Sequence, residues 1–188
     1  MAMVIGLSIA AQNPCYAQAK TKDELKAERD VLKAELKSPA VQERKAKIEK
    51  LTVPKSSGVK SVDDLAISSA VMLVASADNN KIIPELYKRT IGESIDGVTD
   101  VTVKKPSLEE LTKLAANITA QSLAVSKASA AVSAASGDIS KAGPMQASKA
   151  TKALNYTKDT VALLGPELQD NLKMVNHLVV TLKSASNN

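Results

Sequence analysis

The chain has 188 residues, 25 of them Lys or Arg and 20 Asp or Glu, which gives a net charge of +5 with a single His. It contains no Trp, no Phe, three Tyr and one Cys. Its core must therefore be aliphatic, and the shortage of aromatic faces argues against base-stacking nucleic-acid modules and aromatic-lined ligand pockets.

The first 19 residues carry no charge and hold an apolar run, Met3 to Ala11, followed by Asn13-Pro14 and Ala17-Gln18-Ala19. Such a run is too short to span a bilayer, and the small residues at Ala17 and Ala19 fit a signal-peptidase site, so residues 1–19 are expected to be a cleaved secretory signal peptide. No cation precedes the run, as it would if the native leader began further upstream. Cys15 follows Gln12-Asn13-Pro14, which lack the small and aliphatic side chains of a lipoprotein site. Cleavage after Ala19 would leave no thiol for disulfides, nucleophilic catalysis or zinc.

Residues 20–51 read as a charged helical arm. Lys20 to Lys60 holds twelve basic and seven acidic residues, and the rest of the chain is balanced. Strong helix formers run from Thr21 to Lys37 over a sparse stripe of Leu25, Val31, Leu32 and Leu36. Ser38-Pro39 then restarts the helix as cap and first residue, and Val41, Ile48 and Leu51 form its inward side. The arm's basic excess could engage an acidic partner or an anionic membrane surface, but it is interleaved with acid, unlike a nucleic-acid stripe.

Residues 52–60, with Pro54 and Gly58, read as a linker, and residues 61–188 as the body. Ser61 and Asp64 suggest a capping box for a helix from Val62 to about Ala77. With Leu65, Ile67, Ala70, Val71, Leu73 and Val74 spread around it, this helix is expected to be the most buried element. Asp78-Asn79-Asn80 should end or interrupt it before a second stretch, Lys81 to Thr90, with Pro84 in its first turn. Gly92 to Pro106 reads as an irregular crossover, in which Val98, Val101 and Val103 would make at most one unpartnered strand.

Ser107 and Glu110 mark the next start as a capping box. Leu111, Leu114, Ile118, Gln121, Val125, Ala128, Val132 and Ala135 then alternate steps of three and four as far as Ser136, with Gly137 as the stop. After Gly143-Pro144 the rule resumes at Ala147, Ala150, Leu154, Thr157, Val161, Leu164, Leu168, Leu172, Val175, Val179 and Leu182. The phase carries through Gly165-Pro166, which predicts one kinked helix from about Met145 to Ser184. The fold class is therefore all-α: an elongated up-down bundle of three to four long helices with an N-terminal charged hairpin.

No catalytic, cofactor-binding or metal-binding constellation is legible: there is one His, His177, no glycine-rich phosphate loop, no H-E-x-x-H and no Glu-x-x-His pair. The residues singled out as a candidate interaction site are Tyr87, Lys88 and Arg89, an aromatic with two donors beside the crossover. The expected function is a non-enzymatic structural or interaction protein of the periplasm or cell envelope, acting through helical surfaces on a protein partner or on itself. The alternative is a holdase-like periplasmic chaperone or envelope-surface binder using the basic arm. No nucleic acid, small-molecule substrate or cofactor is expected.

Overall fold

A computed structural model describes residues 20–100 and 102–186, and the leader expected at 1–19 lies outside the described residues. Among the described residues the all-α expectation holds, with five helices packed together: α1 (Lys22–Leu36), α2 (Pro39–Glu49), α3 (Lys60–Ile91), α4 (Leu108–Ile139) and α5 (Pro144–Ser186). α3 and α4 pack on each other and on α5, and α1 and α2 lie against α5.

Local chemistry explains most of the ends. Thr21 and Glu24 close a reciprocal capping box at α1, and Ser38 caps α2 with Pro39 at the first position. Ser107 Oγ accepts from the Glu110 amide, and the Glu110 carboxyl, gripped by Arg89 on α3, also takes a backbone hydrogen bond from Ser107, as the expected box requires. α3 departs further from expectation. Val59 is its N-cap and makes no side-chain bond. Asp63 turns back over the preceding loop, accepting from Ser56 Oγ at 2.7 Å, Ser57 N and Oγ at 2.8 Å, and Gly58 N at 3.0 Å. Gly58, at φ +81°, turns the backbone that presents that last amide.

α3 also runs unbroken through Asp78-Asn79-Asn80, which corrects the expected interruption. Asn favours turns when its side chain bonds to nearby backbone. Here Asn79 and Asn80 have tertiary partners: Asn79 Nδ2 donates to Gln121 on α4 at 2.7 Å, and Asn80 Nδ2 donates to Glu167 on α5 at 3.0 Å. Pro84 lies inside the helix and removes only the amide that would bond to the Asn80 carbonyl. α4 likewise passes Gly137, which keeps a negative φ, and ends at Ile139 with Ser140 donating to the Gly137 carbonyl. α5 is continuous across Gly165-Pro166, as expected.

Polar ties fix direction. Ser61–Asp138, Asn79–Gln121 and Arg89–Glu110 bind α3 to α4 in an antiparallel sense. Asn171 Nδ2 donates to Asn80 Oδ1 at 2.9 Å, and α5 runs parallel to α3. Two clusters fill the interior. One is built on Val62, Ala66, Ala135, Ala150, Ala153 and Leu154, and the other on Leu86, Tyr87, Leu111, Ile118, Leu164, Leu168, Met174 and Leu178. The Ala-rich end buries less apolar area per residue, and closer backbone approach compensates through dispersion contacts.

Among the described residues, 92–100 and 102–106 are irregular, with one isolated bridge between Glu93 and Thr99 around a turn at Ile95-Asp96. Val98 is exposed and Val101 lies outside the described residues.

Partial burial pushes the Asp63 carboxyl up, but the hydrogen bonds from Ser56, Ser57 and Gly58 outweigh it and hold the group down at about 2. Asp63→Asn is expected to lower stability by about 1 kcal/mol at neutral pH, read from urea midpoints. Because the folded carboxyl sits below its ordinary value of 3.8, its contribution is complete above that value and is lost as the pH falls through about 2. The difference between variant and wild type should close across that window.

Candidate interaction surface

Two opposite faces of α3 carry the same three-four spacing. The inner face reads Val62, Ala66, Ser69, Leu73, Ser76, Asn80, Ile83 and Tyr87, and each of these is buried or half-buried. The outer face reads Lys60, Asp64, Ile67, Val71, Val74, Asp78, Lys81 and Glu85, all exposed. In the middle of α3 the small Ser69 and Ser76 therefore point inward, and the larger Ile67, Val71 and Val74 outward. Ser69 and Ser76 are 0% and 2% exposed, whereas Ile67, Val71 and Val74 are 62%, 64% and 64% exposed. This corrects the expectation that Ile67, Val71 and Val74 belong to the most buried element.

The inner face is fixed by a polar cluster at the middle of the bundle. Glu167 on α5 is 1% exposed. Its Oε2 accepts from Arg44 Nε of α2 at 2.9 Å, and its Oε1 accepts from Asn80 at 3.0 Å. Arg44 also donates through Nη2 to Asp170, and Asn171 completes the set on Asn80. Burial lowers the proton affinity of the Arg44 guanidinium, but its bonds to Glu167 and Asp170 outweigh that and raise it. With both helices running the same way, the Asn80–Asn171 register brings Ser76 level with Glu167 and Ser69 level with Thr160. The hydroxyls of Ser69 and Ser76 have no hydrogen-bond partner there.

Between the two sides of α3 and α4 lies an open groove of about 510 Å³, lined by Leu65, Ile67 and Val71 on α3 and by Ala124, Lys127 and Ala131 on α4. Leu123, further along α4, is 56% exposed. Apolar side chains thus stand in solvent along the middle of α3, with charges at both ends of the stripe.

The residues singled out from sequence are adjacent but do not converge. Tyr87 is fully buried, its hydroxyl donating to Glu93 at 3.3 Å, and burial pushes the phenol up to about 12. Lys88 pairs with Asp100 at 2.8 Å, and that bond together with Thr102 holds the Asp100 carboxyl down at about 2. Arg89 grips Glu110 and donates to the Lys104 carbonyl at 2.9 Å. The three side chains fasten the crossover to the bundle. His177 is 6% exposed, with Nδ1 3.7 Å from Glu28. Burial pushes it below its ordinary value, against the pull of Glu28.

No group of three or more His, Cys, Asp or Glu arranged to hold a metal ion occurs among the described residues. No helix among them is long and apolar enough to cross a membrane. The chain matches no family model, no curated protein and no solved structure.

The outer stripe was hidden in the sequence because α3 is rich in apolar residues on several sides. The signal that could have revealed it is the parallel runs Ser69–Ser76 and Ile67–Val74 followed by the pair Asn79-Asn80, since Asn inside a long helix requires tertiary partners. Removing a buried, unpartnered hydroxyl relieves a desolvation cost, so Ser76→Ala should raise stability by about 1 kcal/mol. Val71→Ser should change it by no more than about 0.5 kcal/mol. Urea unfolding of both variants at high dilution checks this, and ranking by hydropathy alone gives the opposite order.

Proposed function

We propose that this is a non-enzymatic interaction protein that works through a helical surface, exported to the periplasm or cell envelope after loss of its leader. The observation that carries the reading is the outward stripe of Ile67, Val71 and Val74, the first two of which line the groove shared with α4. Scattered exposed aliphatic residues are ordinary on soluble proteins, but a contiguous apolar strip at helical spacing, rimmed by charge, is the form that helix-on-helix recognition uses. The uncharged apolar run Met3 to Ala11 and the Ala17-Gln18-Ala19 triplet support export.

The competing reading, a holdase or envelope-surface binder grasping through the basic arm, draws less support. Three arm cations pair with the body, Lys33 with Glu93, Lys37 with Asp96, and Arg44 with Glu167 and Asp170, while Lys20 and Lys47 pair within the arm. An arm held by these pairs and by Leu25 and Val41, both buried, serves better as a brace than as a free tentacle.

A photo-reactive benzoylphenylalanine placed at Val71 in the full chain, and as control at the exposed Lys158 on α5, tests the reading in cells. Illumination is expected to give an adduct of defined mass from position 71 and none from position 158. Equal yields of nonspecific smear at both positions, or no adduct at 71, would contradict it.

A further inference from the structure

The outer stripe of α3 has a charge order that is complementary to itself when reversed. Read from the N-terminal end, it runs Lys60, Asp64, Ile67, Val71, Val74, Asp78, Lys81, Glu85, which is plus, minus, three aliphatic residues, minus, plus, minus. If a second α3 is laid antiparallel with the two-fold axis between Val71 and Val74, Lys60 meets Glu85, Asp64 meets Lys81 and Val71 meets Val74. Two-fold symmetry repeats each of these pairs. A parallel arrangement in register would instead oppose every charge with its own kind. An antiparallel arrangement centred on Val71 itself would set Asp64 against Asp78. Charge thus favours the antiparallel direction, and the register centred between Val71 and Val74 makes more opposite-charge pairs than its neighbours, such as the one centred between Ile67 and Val71, where only Lys60 meets Asp78.

From this complementarity we infer that the occupant of the stripe is a second copy of this chain, docked antiparallel through α3. The inference rests on the interaction reading above and names its partner. Every stripe residue is already exposed and helical, so docking requires no rearrangement of the bundle. Within one chain, Lys60 pairs with Asp64 at 2.5 Å and Lys81 with Asp78 at 3.6 Å, and all four side chains are more than half exposed. Docking would join these two solvent-facing pairs, one from each copy, into a four-charge cluster at each end of the contact. Ile67 falls opposite Asp78, which is the one unfavourable match. Asp78 lies at the rim of the stripe and keeps its own Lys81, so the apolar centre of the contact is Val71, Val74 and their symmetry mates. The stripe from Lys60 to Glu85 spans roughly 38 Å at 1.5 Å per residue, enough for about seven turns of helix-on-helix contact.

The register makes a prediction that no generic stickiness shares. Asp64→Lys sets Lys against Lys81 of the other copy, twice in each dimer, and Lys81→Asp sets Asp against Asp64, again twice. Each variant alone should therefore dissociate at least tenfold more readily than the wild type. Mixed one to one, the two variants should form a heterodimer, because Lys at 64 of one chain then faces Asp at 81 of the other while the native Asp64 and Lys81 face each other. Sedimentation equilibrium at about 50 micromolar, a range that reports micromolar affinities, reads all three samples, with circular dichroism to show that both exposed-site variants keep their helix.

The expected result is a dimer for the wild type, monomers for the single variants and a dimer for the mixture. A monomeric wild type, single variants that associate like the wild type, or a mixture no more associated than its components would each overturn the inference. If the wild type is monomeric while position 71 still yields a photo-adduct of a mass other than twice the chain, the self-docking proposal fails and the interaction reading stands. If position 71 yields no adduct either, both fail.

Discussion

The structure turns on one buried carboxyl. Glu167 sits at the centre of the bundle with almost no access to water, and a charge in that position is tolerated only when it is paired and hydrogen-bonded. Arg44 and Asn80 supply the partners. Between them they tie α2 to α5, set α3 against α5 at the Asn80–Asn171 register, and turn the Asn80 side of α3 inward. An apolar residue of similar size at 167 would impose none of these. Removing one partner from such a pair typically costs about 3–5 kcal/mol because the other is left buried and uncompensated.

The rotation has a consequence on the other side of the helix. Once Ser69, Ser76 and Asn80 are committed to the interior, the helical period carries Ile67, Val71 and Val74 into solvent. The small inner residues permit α3 and α5 to approach closely, while the outer face is left with more apolar character than a helix in a closed three-helix core requires. The outward Ile67, Val71 and Val74 are the feature on which the proposed interaction role rests. The arm contributes by closing the α5 side with Arg44, Leu25 and Val41, which leaves the α3–α4 side open.

Much of the architecture was legible in the residues. The α4 seam from Leu111 to Ala135 lies against the core with Leu111, Leu114, Ile118, Val125, Ala128 and Ala135 buried, because a single apolar stripe leaves no ambiguity of rotation. The passage of α5 through Gly165-Pro166 followed from the unbroken phase of the pattern. What could not be read was the rotation of α3 and the breadth of burial on α5. α3 offers two stripes of equal spacing, and the choice between them depends on Glu167, some 87 residues away. α5 contacts every other helix, so Ala153, Thr160, Glu167, Asn171, Met174 and Leu178 are buried alongside the seam that periodicity marks. The candidate trio of Tyr87, Lys88 and Arg89 drew attention as an aromatic beside two donors, yet its partners, Glu93, Asp100 and Glu110, lie across a crossover whose path no local pattern specifies.

The rotation of α3 is tested most directly by thiol accessibility along it. In a chain carrying Cys15→Ser, single Cys substitutions at Ile67, Val71 and Val74 and at Ser69 and Ser76 would be reacted with a maleimide under native conditions at high dilution. Labelling at 67, 71 and 74 should proceed at the rate of a free thiol, and at 69 and 76 only as fast as the bundle unfolds. Protection of position 71 together with free reaction at position 76 would contradict the arrangement built on Glu167.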